Sequence, residues 1–139
     1  MRLGNGRIWG SYTVVTCIVS LPILYIASRN QVLHDYYAIE NLNISAYLLE
    51  TTLRLLALEF IVRGFLVFGL KDKLKEGSIL IQMVPFVLLH FGKPEIETIS
   101  TILTGLYFGY VVYRSNSYWP AFIIHVFINI SFILLVNTF

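Results

Sequence analysis

Charge is scarce in this chain: only 13% of its 139 residues are Asp, Glu, Lys or Arg, about half the share of an ordinary soluble domain. Cysteine is scarcer still. The one thiol, Cys17, lies inside an apolar run, which excludes an internal disulfide and leaves no thiol pair for a metal, so it reads as a small packing residue. Ten basic against eight acidic residues give a formal net charge of +2. The bases form no patch interleaved with aromatics, so nucleic acid is excluded as a partner. Internal repeats and low-complexity segments are missing too. What the chain has instead is hydrocarbon, with 57% hydrophobic residues and a mean hydropathy of +0.73. Its length holds one domain, residues 1–139.

The apolar residues come in long runs, which predict an all-α membrane helix bundle. From Ile8 to Ser28 no residue is charged, long enough for a bilayer core of roughly 30 Å. Arg2 and Arg7 precede it, as in a secretory signal. The run exceeds a signal core, however, and a cut after Ala27 would put bulky Tyr25 where a small residue is needed; the reading is a permanent helix. Further runs predict helices at about 45–70, 76–91, 97–114 and 118–138, five in all, the third and fourth short for spanning. Residues 29–44 read as a polar loop, with Asn43-Ile44-Ser45 as a helix start; His34, Asp35 and Glu40 in this loop are assigned no chemistry. Residues 71–77 read as a loop or interfacial helix start, and Gly92-Lys93-Pro94 as a helix stop. Gly105 and Gly109 form a small-xxx-small pair for close helix contact, within one chain or between two. With the N-terminus in the cytoplasm, that side collects Arg2, Arg7, Lys71, Lys73, Lys75 and Arg114, against Arg29 and Lys93 opposite, as the positive-inside rule asks.

Ionisable groups inside such runs cost on the order of 2.5–3.5 kcal/mol each, so each needs a partner or a use. Glu59 and Arg63 are four apart and share a helix face; Glu50 and Arg54 fall on roughly the opposite face. Either pair, taken alone, is an ion pair that lets its helix insert. A lone His90 or His125 is an ordinary structural histidine, and Asn129, one turn after His125, ordinary interhelical glue. Taken as a set spread over three apolar segments, they are satisfied together by one shared polar cavity, which is a functional site.

At these residues the sequence resembles the CPBP family, the CAAX proteases and bacteriocin-processing (Abi-like) enzymes, which are intramembrane glutamic-type endopeptidases. The family's motifs are a glutamate doublet followed by arginine, a Phe-xxx-His and a His-xxx-Asn. Here they read LEFIVRG with Glu59 and Arg63, FVLLH from Phe86 to His90, and HVFIN from His125 to Asn129. One position departs: the doublet's first glutamate is Leu58. Either Glu59 works alone, or Glu97 supplies the second carboxylate, or the protein no longer cuts, in that order of preference.

The resemblance implies peptide hydrolysis of membrane-associated or prenylated proteins or peptides, in a prokaryotic cell membrane, with lipid as the surrounding partner. Glu59 would take a proton from water. His90 would share that water or protonate the leaving nitrogen, His125 and Asn129 would donate to the oxyanion, and Arg63 would orient Glu59 or hold the neighbouring helix. No cofactor is expected in this form. A zinc-dependent version would use His90, His125 and Glu59 as ligands, although no His-Glu-x-x-His spacing is present. The rivals are a non-catalytic protein for peptide binding or bacteriocin immunity and, with less support, a proton-relaying transport subunit.

Overall fold

The computed structural model describes Gly4 and residues 6–138; Arg2, counted above among the N-terminal charges, lies outside them. All regular structure among the described residues is helical. Helix α1 (Gly6–Ser28) carries no charge beyond Arg7 and contains Pro22. A short α2 (Gln31–Tyr37) follows, capped by the Asn30 side chain, which accepts from Leu33 N. Then comes a continuous rod of three parts: α3 (Ile44–Glu59), a π-helical segment (Phe60–Val67) and α4 (Phe68–Leu74). Asn43 caps its start by accepting from Ala46 N, the role its sequence suggests. Helix α5 (Gly77–Leu88) is short, and α6 (Glu95–Ser115) and α7 (Trp119–Thr138) complete the bundle.

Three expectations shift. The polar stretch 29–44 contains a helix, because an Asn cap suffices to nucleate two turns that bury Leu33. The rod runs on through residues 71–74, where a loop or interfacial start was expected, to Lys75 at φ 50°. Helix α5 stops before His90, in a turn closed by Gly92 at φ +91°, a left-handed value that only glycine adopts without strain.

The rods alternate in direction, so the connections gather at two ends. At one, Lys71 Nζ donates to Tyr113 O at 2.7 Å, and Gly4 abuts Ser115 and Ser117. At the other, Lys93 Nζ donates to Tyr37 and Glu97, and Asn137 bonds Tyr37 O and Ile39 N. We call these the lysine end and the α2 end.

Burial is inverted relative to a soluble protein. Large apolar side chains face outward, Ile26 and Leu103 at 72% exposure and Phe65 at 67%, while Glu59, Arg63 and Gln82 are sealed at 0%. An outer surface of this kind is at home in hydrocarbon, where exposing apolar groups costs nothing and polar groups must pair internally. Two helices, α1 and α7, are long and apolar enough to cross a membrane, with mean hydropathies of 1.7 and 2.1. The chain is a helical membrane protein.

The glycine pair works within the chain. A Cβ on Gly105 would come within 3.0 Å of Phe86 Cδ1, and one on Gly109 would strike Gln82 Nε2 and Ile79. Gln82 Nε2 is itself fixed by Gly105 O at 2.7 Å and Ile79 O at 2.9 Å, so α5 lies directly on the α6 backbone. Gly109→Ala is therefore expected to cost about 1–3 kcal/mol through overpacking, read as a lowered thermal midpoint in detergent; an unchanged midpoint would show that the two helices separate freely.

Candidate active site

Glu59 ends α3 with its carboxylate fully buried. Its Oε1 accepts from Arg63 Nη1 at 2.8 Å and from His125 Nδ1 at 2.6 Å. Its Oε2 has no hydrogen-bond partner among the described residues, nor have Arg63 Nε and Nη2. A carboxylate is tolerable in such a place because a guanidinium and an imidazole face it.

The π segment keeps this arrangement in line. In an α-helix, positions four apart drift forward by about 40° around the axis. A π turn, closed by i→i+5 bonds, is wider and turns less per residue, so the drift reverses. Thr51 and Leu55 on α3, then Glu59, Arg63 and Val67, consequently all stay buried along one stripe. Gly64 lies within this segment, where a Cβ would press on Phe60 at 3.2 Å and Tyr118 at 3.5 Å.

Arg63 also ties the rod to its neighbours. Its guanidinium carbon sits 3.9 Å from the Phe86 ring centre on α5 and 5.3 Å from Phe108 on α6, cation–π contacts that gain strength away from water. The Phe86 ring in turn meets both imidazoles, His90 at 4.7 Å and His125 at 5.7 Å between centres. His90 Nδ1 lies 2.8 Å from Phe86 O. A carbonyl only accepts, so Nδ1 carries the proton, and Nε2 of the neutral ring is the basic atom. Asn129 points its Oδ1 at the Tyr47 hydroxyl, 2.7 Å away, which turns Nδ2 outward as the donating edge.

The structure thus joins Glu59, Arg63 and His125 directly, holds His90 against the same phenyl ring, and anchors Asn129 to α3. Against expectation, His125 commits Nδ1 to the carboxylate, leaving only Nε2 for any other partner. Glu97 is elsewhere: its Oε1 takes Lys93 Nζ at 2.7 Å and its Oε2 the Tyr37 hydroxyl at 2.6 Å, at the α2 end. Burial and then the Glu97 bond push the Tyr37 phenol above its ordinary value. Glu50 and Arg54 are exposed on the outside of α3. Among the described residues no three His, Cys, Asp or Glu side chains group as metal ligands. Tyr47 is the residue sequence reading missed. Its signal is the four-residue stride Tyr47, Thr51, Leu55, Glu59, which puts a hydroxyl on the stripe that carries the carboxylate.

No curated protein and no solved structure matches this chain significantly. A family model does: that of Rce1-like proteins, described as Type II CAAX prenyl endopeptidase Rce1-like, matches residues 41–131. That span covers about two thirds of the chain and includes Tyr47, Glu59, Arg63, His90, His125 and Asn129. The chain belongs to the Rce1-like family of type II CAAX prenyl endopeptidases, a family of membrane proteases.

Proposed function

We propose that this protein is an intramembrane endopeptidase in which Glu59 alone activates the water. The observation that carries this reading is the division between the two oxygens of Glu59: Oε1 is held by Arg63 and His125, and Oε2 has no hydrogen-bond partner among the described residues. One oxygen fixes the group and the other is left to take a proton. Leu58 supports the single-glutamate form, since position 58 is half-buried and position 59 is sealed. Glu97, with both oxygens engaged, is not available as a second base.

In this mechanism Glu59 Oε2 and His90 Nε2 accept from the same water. Glu59 removes a proton as the water oxygen attacks the scissile carbonyl carbon. The carbonyl π electrons move onto oxygen, and Asn129 Nδ2 donates to the anion that forms. The intermediate collapses with loss of the C–N bond, and the proton held by Glu59 passes to the departing nitrogen. The products are a carboxylate and an amine, and no metal takes part in any step. Substrates are peptides or proteins in or at the membrane, prenylated or otherwise anchored. The bundle of α1, the α3–α4 rod, α5, α6 and α7 lies in the bilayer, the short α5 reaching only part of the way across, with the N-terminus in the cytoplasm.

Tyr47 acts as a positioning residue. Tyr47→Phe is expected to lower kcat by roughly tenfold with KM little changed, because the Asn129 amide loses the bond that sets its direction; a donor of this kind is worth about 10²–10³ when removed outright. A fall in KM alone, or none in kcat, would refute the role.

The proposal is tested on detergent-purified protein in chelator, with lipidated and unlipidated peptides and mass spectrometry of the fragments. Wild type is expected to cleave and Glu59→Gln to leave the peptides intact. The missing first glutamate at Leu58 keeps a second reading in play, a non-catalytic peptide-binding or immunity protein. Wild type that binds these peptides without cutting them would establish that reading instead.

A further inference from the structure

We infer that Thr98 is a positioning residue for His90, holding the turn that decides which imidazole nitrogen carries the proton. This rests on the protease reading above, in which His90 Nε2 accepts from the attacking water. Three observations carry it.

The first is a carbonyl that the backbone passes over. At the end of α5, Leu89 N donates to Pro85 O at 3.0 Å, a regular bond four residues back, but His90 N donates to Val87 O at 2.9 Å, three residues back. The step from four to three skips Phe86 O, and His90 Nδ1 takes it at 2.8 Å. Such tightening is ordinary where a helix ends. Here it sets the tautomer, because a carbonyl engaged by Nδ1–H leaves Nε2 as the basic atom. If the chain wound one residue further at α pitch, His90 N would claim Phe86 O and the imidazole would lose its partner.

The second is the hydroxyl that holds this turn. His90 O accepts from Thr98 Oγ1 at 2.9 Å and from Lys93 N at 3.2 Å. Serine and threonine hydroxyls inside helices usually fall back on a carbonyl three or four residues earlier. Ser100, Thr101 and Thr104 of α6 do so, donating to Glu97 O, Thr98 O and Ser100 O. Thr98, among these four, reaches out of its own helix, to the residue that bears the imidazole. The carbonyl four residues before it, Pro94 O, already accepts from Glu97 N and Thr98 N.

The third is a brace that fixes where Thr98 stands. The neighbouring Glu97 accepts from Lys93 Nζ at 2.7 Å on one oxygen and from the Tyr37 hydroxyl at 2.6 Å on the other. Tyr37 is tied in turn to α7: Asn137 Nδ2 donates to its carbonyl, and its ring stands at right angles to that of Phe132. Thr98 thus offers its hydroxyl from a start of α6 that is anchored on two sides, and the connection carrying His90 is drawn against it.

The test reads the ring nitrogens of isotopically labelled histidine by NMR, on detergent-purified protein in chelator at a pH where His90 is neutral. Cleavage of the peptides above gives kcat and KM for the same samples. The His90 signals are those lost in His90→Gln. Wild type is expected to show Nδ1 protonated and Nε2 bare. Thr98→Val keeps the shape and removes the hydroxyl; it is expected to let the two tautomers mix and to lower kcat roughly 10- to 100-fold with KM little changed, since misplacement by about 1 Å costs about 10²-fold. Thr98→Ser should restore both readings, and Ser100→Ala should change neither. Thr98→Ala gives the same comparison should the valine variant fail to fold. His90 nitrogens that stay as in wild type without the hydroxyl, or that change while kcat does not, would overturn the inference. Wild type that cuts no peptide would instead overturn the protease reading, and the nitrogen signals would still decide whether Thr98 holds the ring.

Discussion

Glu59→Gln is expected to lower cleavage by about 10²–10⁴, the range a positioned general base supplies. The substitution preserves size, and the new amide oxygen can still accept from Arg63 and His125. What disappears is basicity, and with it the negative charge. Arg63, sealed at 0% exposure, then becomes a buried cation without a counter-charge, a situation that costs roughly 3–5 kcal/mol when one member of a buried pair is removed. Lost rate and lost fold must therefore be separated. The double variant Glu59→Gln, Arg63→Met removes both charges; it should recover most of the thermal midpoint and none of the cleavage. A single variant that keeps more than a tenth of wild-type turnover would disprove the assignment of Glu59 as the base.

Arg63→Met should produce the largest loss of stability of any single change in this chain. It leaves the Glu59 carboxylate with His125 as its one remaining hydrogen-bond partner among the described residues, again about 3–5 kcal/mol. It also removes the cation resting on Phe86 and Phe108, the contact that joins the π segment to α5 and α6. For a chain of this size the thermal midpoint in detergent should fall by about 10 °C or more. Arg63→Lys should recover only part of that, since an ammonium neither stacks flat on Phe86 nor keeps the fork of donors. A midpoint within 2–3 °C of wild type for the Met variant, roughly 1 kcal/mol, would mean the pair contributes little to the fold.

Much of this was legible in the sequence. Each long uncharged run became a helix, because in hydrocarbon the backbone has few other ways to satisfy its amides. The grouping of Glu59, Arg63 and His125 followed from the same cost: a buried charge must find its opposite. Helix α2 was missed because seven residues with a single capping Asn give too short a period to read. The π segment was missed because FIVRGFLV has the composition of any apolar helix, and nothing in its residue types marks where the turns widen. Tyr47 passed unnoticed among the chain's nine tyrosines, its partner lying 82 positions away. Glu97 had looked like a spare carboxylate beside His90, but Lys93 and Tyr37 at the α2 end claim both of its oxygens.

The wide turns between Phe60 and Val67 make the site a matter of counting as much as of identity. Each such turn accommodates more chain than an ordinary helical turn, so a rod that lost one lipid-facing residue there, Ile61 for instance, could wind back to regular pitch with every hydrogen bond intact. Everything beyond the excision would then keep nearly its former angle, because seven residues at about 100° each cover roughly what eight in wider turns do. The same excision in the regular turns of α3, at Leu53 for instance, has no such slack and would swing Tyr47 about 100° away from Asn129. That deletion alters no reacting atom and would still disarm the site, so the regular helix before Glu59 is held to its length where the wide turns after it are not.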